Sequence, residues 1–599
     1  MVSRRSARRA TALLAAVAAL LIPHPAGAQA QARAVEIVAL PEPEARLFFA
    51  DHRAALGLGV FPETRDPLRF IEEIGYGSPH GGSISSGDEK PARTADVIAG
   101  AGRSIVTAGT TSRLTLALSS AFPATAPIKG GVPRQIASLT VRSLDSASDL
   151  EAVIASASVA TQYVVVGVGF RTPLLIGICA SPCRGSREKY GLLVDGIARR
   201  PAIVTPYDVG VTVMDMLGIA RPSEGFIGNA VTEDPNPHAL DYVEGSERRL
   251  VREAAVGSTP AVVTDALTVA ALITGLGLLL SGKRELAARS AQGAWSTVAI
   301  GYPLSLFTTS GNSAVRSIVV VAAFALGASF APVRERKTAR IFFAVAIVMA
   351  LLFVVAPLNP GGEPGLSLWG NPLVSWRFFG MQNAQAATVA AGVVVWGVLA
   401  GLGVAALLLV AGLAAVVIAA PTIGANFVGV LTFTFGAALA ILAMARRRIH
   451  LIQVVIAGVV ASAAFLLALL ADVGSPVSHG GRAAKRISEG GISTAWEFVT
   501  GRLRLNVDLI RGFWGGVVWV AVMLGAIAFM IAWGARVARG PLRGRVAVWA
   551  GAFMALSSLV LEDSGFYSGM TMVGAAFAAW IIVSAGFRES PAVPSADDG

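Results

Sequence analysis

Residues 376–426 read WRFFGMQNAQAATVAAGVVVWGVLAGLGVAALLLVAGLAAVVIAAPTIGAN, and the fold turns on how this stretch is read. Its first eight residues include Arg377, Gln382 and Asn383, whereas the next 37, Ala384 to Ala420, carry no charge. As one helix those residues would extend about 55 Å, nearly twice the ~30 Å of bilayer hydrocarbon. The Gly401-Leu402-Gly403 run predicts the break that folds the stretch back as two membrane spans. The polar cluster in front of it then stands at a membrane mouth.

The whole chain supports that setting. Of 599 residues, 54% are hydrophobic and only 15% charged, which excludes an ordinary soluble protein. Apolar blocks centred near residues 271, 300, 324, 349, 391, 411, 436, 461, 523, 554 and 576 predict an all-α polytopic transmembrane bundle of about 11 helices over 259–588. At the other end, Arg4, Arg5, Arg8 and Arg9 precede the apolar run Ala10 to Ile22 and the small residues PAGAQA, the pattern of a signal peptide over 1–28. Residues 29–258 are then expected outside the cytoplasm, and 589–599 as a disordered cytoplasmic tail.

Within 29–258, SLTVRSLDSASDLEAVIASA reads as a strand and a capped helix, and TQYVVVGVGF and PLLIGICA as buried strands. VTPYDVGVTVMDMLG carries the marks of a helix: Thr205 to cap it, Pro206 in its first turn, Asp208 to complete a capping box and Gly218 to end it. Val209, Val213 and Met216 would share its apolar face. Strands alternating with helices predict an α/β extracytoplasmic domain. Its two cysteines, Cys179 and Cys183, are expected as a local disulfide in that oxidising setting.

The net charge of +11 does not point to nucleic acid, because most of it falls in short loops between apolar blocks. With the α/β domain outside, the predicted inner loops hold Lys283, Arg284, Arg289, Arg334, Arg336, Lys337, Arg340, Arg446, Arg447, Arg448, Arg536, Arg539, Arg543 and Arg545, against Arg316 and Arg377 in the short outer loops. That is the asymmetry of a plasma-membrane protein whose C-terminus is cytoplasmic. A long outer loop, 472–511, places Ile492, Trp496, Val499, Leu503, Val507 and Ile510 at three- and four-residue spacing, with Arg502, Arg504 and Arg511 on or near the polar side. Such a helix suits either the headgroup layer or packing against the α/β domain.

Four polar motifs reach the outer face in this topology: Arg377, Gln382 and Asn383; Asn426; Ser478, His479 and Arg482; and Glu562, Asp563 and Ser564. The span interiors are almost free of charge, apart from Asp265 near an outer start, which argues against ion-coupled transport. Arginines, a histidine and amides at one mouth suit an anionic headgroup. Taken singly, each motif also fits a helix end that satisfies its own backbone.

These motifs resemble those of actinobacterial-type polytopic membrane proteins that carry an exported alkaline-phosphatase-superfamily-like domain. In that group the patterns run GRFYGxGNE, GAPxxGADxGG, SHLGR and NDSG; here WRFFGMQNA, AAPTIGANFVG, SHGGR and EDSG follow in the same order over roughly 370–570. Upstream, GLLVDGIARRPAIVTPYDVGVTVMDMLGI looks like the late strand–helix segment of the phosphatase-like domain. Two acids of the group's pattern are replaced, by Ala384 and Asn426.

The resemblance implies a metal-binding Asp after the first strand and an Asp-His pair after a later one, but VEIVAL runs into Pro41 and Glu42, and YVVVGVGF offers Gly167-Val168. Ser83, Ser85, Ser86, His80 and Asp88 do not complete a two-metal set, Asp51-His52 reads as a solvated helix face, and Asp208 and Asp215 as a cap and an exposed position. The α/β domain is therefore expected as a degenerate, non-catalytic binding module without cofactor.

The sequence thus predicts an envelope membrane protein with an outer-face site for an anionic or lipid-linked component. Two alternatives stay open. One is a phosphoester hydrolase or lipid-linked glycosyl or phosphoryl transferase using His479, Glu562 and Asp563 with a divalent metal; the other is a transporter of lipid or envelope precursor.

Overall fold

The computed structural model describes residues 34–52, 57–61, 104–109, 137–156, 161–168, 174–180, 191–194, 202–219, 230–235, 238–256, 259–301, 303–304, 312–330, 336–355, 381–420, 423, 426–447, 450–472, 491, 493, 496, 500, 503, 507, 510–511, 516–533, 541–562 and 565–586. It is mostly helical, with a small mixed sheet near the N-terminus. The sheet has eight strands: β1 (Ala34–Pro41), β2 (Gly57–Phe61), β3 (Ser104–Gly109), β4 (Ala137–Ser143), β5 (Thr161–Val168), β6 (Leu174–Ala180), β7 (Gly191–Val194) and β8 (Thr232–Pro235). Their spatial order is β3-β4-β1-β5-β6-β2-β7-β8.

β1 lies between β4 and β5 and pairs parallel with both, Ile37 opposite Val141 and Val164. Successive side chains of a strand face opposite ways, and in β1 both ways are buried. Val35, Ile37 and Ala39 join Leu139, Val141, Val164 and Val166 on one face, covered by Val209, Val213 and Met216 of α3 (Pro206–Met216). Val38 and Leu40 join Val165 on the other, covered by Phe48 and Phe49 of α1 (Glu42–His52) and by Leu150 and Ile154 of α2 (Ala147–Ser156). Helices on both faces of a mainly parallel core give the α/β arrangement the sequence predicts.

The helix ends form where their polar residues dictate. In front of α3 the Thr205 N–H donates to Asp208 Oδ2 at 2.7 Å, closing the capping box. Behind it Gly218 takes φ +70°, the Ile219 N–H reaches Met214 O at 2.8 Å and the Gly218 N–H reaches Asp215 O at 3.0 Å, the paired bonds of a Schellman end. At α2 the Asp149 N–H donates to Ser146 Oγ at 3.2 Å and the Ala147 N–H to Glu44 Oε2 at 3.0 Å. A further helix, α4 (Ala239–Val256), ends the domain and is tied to α1 by the Arg46–Glu247 ion pair.

The bundle follows as α5 (Thr259–Leu280), α6 (Arg284–Ser296, continued by a π-helical turn Thr297–Gly301), α7 (Ser313–Ser329), α8 (Arg336–Val355), α9 (Asn383–Ala400), α10 (Val404–Ala419), α11 (Phe427–Arg446), α12 (Leu451–Asp472), α13 (Gly516–Ala532), α14 (Leu542–Leu561) and α15 (Gly565–Ser584). Among the described residues, six helices are long and apolar enough to cross a membrane: α5, α9, α11, α12, α14 and α15. α7, α10 and Val517–Ala532 of α13 are apolar but shorter. The expected count of about 11 membrane helices is not confirmed by length and composition among the described residues.

α9 is the central helix, every residue from Gln385 to Ala400 being buried. Glycine lets its neighbours approach. A Cβ on Gly392 would lie 2.2 Å from that of Ala346 in α8, and one on Gly397 would touch the Phe343 ring at 3.3 Å. α8 and α9 are thus antiparallel. A Cβ on Gly551 of α14 would meet Ala576 Cβ of α15 at 2.9 Å and Val395 Cγ2 of α9 at 3.0 Å, so three helices converge there. The Trp396 ring of α9 lies tilted against Trp295 of α6 (centroids 5.8 Å) and Phe342 of α8 (4.8 Å), beside a second π-helical turn, Gly392–Trp396.

The long uncharged stretch breaks where its glycines predict. Gly401 takes φ +96°, its N–H reaches Val398 O at 3.1 Å, and the Leu402 N–H reaches Gly397 O at 3.1 Å, again a Schellman end. Gly403 opens α10 with an ordinary φ of −74°.

Two predictions follow from this geometry. Gly401→Ala forces a Cβ into the left-handed region and should lower the stability of the purified protein by about 1–2 kcal/mol, while Gly403→Ala, with open space around it, should leave the thermal melt unchanged. In the α/β domain the Tyr163 hydroxyl is buried without a hydrogen-bond partner among the described residues. Burial first, and the Glu36 carboxylate second, push its pKa up to about 12, against the pull of Arg142. A proton held more tightly in the folded state stabilises fully below about pH 10, and that stabilisation is lost as pH rises through about 12. Tyr163→Phe should flatten the stability–pH curve in that window and raise stability by about 1 kcal/mol or more at neutral pH.

Candidate functional site

The bundle has two chemically distinct ends. α5 and α6 are antiparallel, Ser290 Oγ donating to Ala271 O at 2.7 Å and Thr268 Oγ1 meeting Thr297 Oγ1 at 2.5 Å. α15 runs parallel to α5: a Cβ on Gly275 would touch Ile581, and Asp265 lies within electrostatic reach of Tyr567. Gly544 meets Val583, so the start of α14 lies beside the end of α15. One end of the bundle thus gathers Lys283, Arg284, Arg543 and Arg545. Arg340 joins the end of α9, its Nε donating to Ala400 O at 3.4 Å. The opposite end, the amide end, carries amides, hydroxyls and carboxylates.

At the amide end α9 begins with Gln382, whose backbone N–H donates to Gln385 Oε1 at 2.7 Å. The Nε2 of Gln385 is buried with no hydrogen-bond partner among the described residues. α11 begins with Asn426, 2% exposed, and its side chain is fully engaged. Oδ1 accepts from the Gly429 N–H at 2.8 Å, capping the helix, while Nδ2 donates to Met381 O at 3.1 Å and Asn383 Oδ1 at 3.0 Å. Gly429 is needed there, since a Cβ would lie 2.7 Å from Asn426 Oδ1. Asn426 therefore bolts the mouth of α11 to the mouth of α9.

The α14–α15 hairpin supplies the second cluster. Glu562 is 1% exposed, and its Oε2 accepts from Ser568 Oγ at 2.6 Å. Ser558 Oγ donates to Gly565 O at 3.1 Å, and a Cβ on Gly565 would strike Ser558 O at 2.0 Å, so only glycine lets the hairpin close this tightly. The two clusters stand at one level. From the shared contact at Gly551, Asn383 lies 12 residues back along α9 and Gly565 11 residues back along α15. At the helical rise these are about 18 and 17 Å. They run in the same direction, because Asn383–Ala391 packs along α15, whereas run the opposite way it would pass beyond the end of α15 at Ser584.

Of the residues the sequence singles out, Gln382, Asn383, Asn426 and Glu562 come to this end; Asn383 and Asn426 touch. Arg377, Ser478, His479, Arg482, Asp563 and Ser564 lie outside the described residues. Cys179 is disulfide-bonded, and Cys183 also lies outside the described residues. Sequence reading missed Gln385, Ser558 and Ser568. A repeat of glutamine at a three-residue interval (Gln382, Gln385) was the available signal for the first; the two serines have none.

Chemically, the described part of the amide end offers hydrogen-bonding groups. Asn383 and Gln382 stand half-buried at the rim with amide groups, over the buried Gln385. Among the described residues no group of three or more His, Cys, Asp or Glu side chains gathers as a metal site. No family model, characterised protein or solved structure matches the chain.

The Asn426 contacts make a test of the amide. A carboxylate cannot donate, so Asn426→Asp would set a buried charge against two acceptor oxygens and cost about 3 kcal/mol or more. Asn426→Ala should cost less. Acidification should shrink the Asp deficit, because a protonated Asp regains one donor. Equal melts for the Asn and Asp proteins across pH would contradict the assignment.

Proposed function

We propose that the chain is an integral membrane protein of a bacterial plasma membrane whose amide end faces outward and binds an anionic or lipid-linked envelope component. Support for the orientation comes from the basic residues at the opposite end, since Lys and Arg flanking spans favour the cytoplasm. The observation that carries the reading is the Asn383–Asn426 contact at the same level as the buried Glu562 hairpin. Separate stretches of chain bring their polar side chains to one mouth, and the helix between them is dry. In this reading Arg377, His479 and Arg482 supply the positive charge toward a phosphate, and Gln382 and Asn383 donate hydrogen bonds to its oxygens or to sugar hydroxyls. The α/β domain is a degenerate phosphatase-like module that binds rather than cleaves, in keeping with Gly167-Val168 where a metal-binding Asp-His pair would stand.

Native mass spectrometry of the purified protein with phosphatidylglycerol, phosphatidylethanolamine and a polyprenyl-phosphate sugar tests this. Retention of an anionic lipid over the neutral one, weakened several-fold by Arg377→Ala and by Arg482→Ala, is the expected result. Equal retention of all three, unchanged in both variants, overturns the reading. Divalent-metal-dependent turnover of a phosphoester, lost in Asp563→Asn, would replace it with an enzyme.

A further inference from the structure

The stretch between α12 and α13 contains described helical residues whose apolar side chains stay partly exposed. Trp496, Leu503 and Val507 are helical and 67%, 37% and 43% exposed. Thr500 Oγ1 donates to Trp496 O at 3.0 Å, the reach of one helical turn. On a continuous helix of 100° per residue, the sequence positions Trp496, Leu503, Val507 and Ile510 would fall within an arc of about 60°. The sequence left two covers open for this stripe, the α/β domain or the headgroup layer. A tryptophan two-thirds exposed is not packed on a domain.

The connections on either side say what covers it. The α11–α12 turn lies at the basic end, because Asn426 starts α11 at the other; α12 therefore finishes at the amide end. α13 runs parallel to α15, with Met523 against Gly569 and Phe529 against Phe577 and Trp580, so Gly516 also lies at the amide end. Both flanking helices show bare apolar side chains close to these ends: Leu466, Leu467 and Leu470 on α12, Val517 and Val518 on α13. Surfaces of that kind on the apolar helices of a membrane bundle are covered by lipid. A stripe tethered between two such helices reaches the same leaflet.

We propose that the helical residues from Trp496 to Arg511 form an interfacial anchor, with the Trp496–Leu503–Val507 stripe sunk into the acyl boundary of the leaflet at the amide end. Tryptophan prefers that depth, and the exposed Arg511 sits where lipid phosphates lie. The anchor holds the polar mouth of the bundle level with the headgroups, whatever the mouth binds.

The test uses the full chain in nanodiscs of phosphatidylethanolamine and phosphatidylglycerol. Among the described residues no native cysteine is free, so Leu503→Cys and Val507→Cys can each carry a single nitroxide. The expected result is strong relaxation by oxygen and weak relaxation by a water-soluble nickel chelate at both sites, with the ratio reversed several-fold in a detergent-free unfolded control. Strong nickel relaxation would place the stripe in water, and weak relaxation by both reagents would place it against protein. Either overturns the proposal. Oxygen access unchanged by Arg377→Ala would show that the anchor stands apart from the binding reading.

Discussion

Around Gly551 three helices approach so closely that a single methyl group would collide with two of them. Inside a bilayer, lipid tails are as apolar as leucine, so helix association depends on such close packing and not on expulsion of water. The contact fixes the heights of α9, α14 and α15 relative to one another. Because height along a helix converts to residue number at a fixed rise, the same contact decides which side chains share an end. Asn383 and the Glu562 hairpin are brought level by it, although 179 positions separate them in the sequence.

Once the ends are set, the polar groups there must be satisfied in a poor solvent. Asn426 does this with three hydrogen bonds and joins two helix mouths as it does so. Glu562 accepts from Ser568. Each removes a polar atom from contact with hydrocarbon, where an unpaired one is costly. The geometry also explains an amide at position 426: its neighbours Met381 O and Asn383 Oδ1 accept, so the side chain between them has to donate.

Much of this was legible in the residues themselves. Gly401 breaks the long apolar stretch because a left-handed φ suits glycine, and Thr205, Asp208 and Gly218 bound α3 because caps are local. The strands TQYVVVGV and LLIGICA follow from β-branched runs. The count of about 11 crossings is not confirmed by helix length. Apolar windows register hydrophobicity, yet α7 and α10 stop at 17 and 16 residues, and the first turn of α6 holds Arg284 and Glu285. Helix heights were not legible at all, because they depend on which glycine meets which neighbour. The π-helical turns beside Trp295 and Trp396 likewise leave no sequence pattern.

The most direct measurement is sidedness. Single cysteines at Gln382, Tyr567 and Lys283 would be exposed to a membrane-impermeant maleimide on sealed, right-side-out vesicles. The account predicts that Gln382→Cys and Tyr567→Cys react from the outside and Lys283→Cys only after the membrane is opened. Reaction of the first two from opposite sides would contradict a shared polar end.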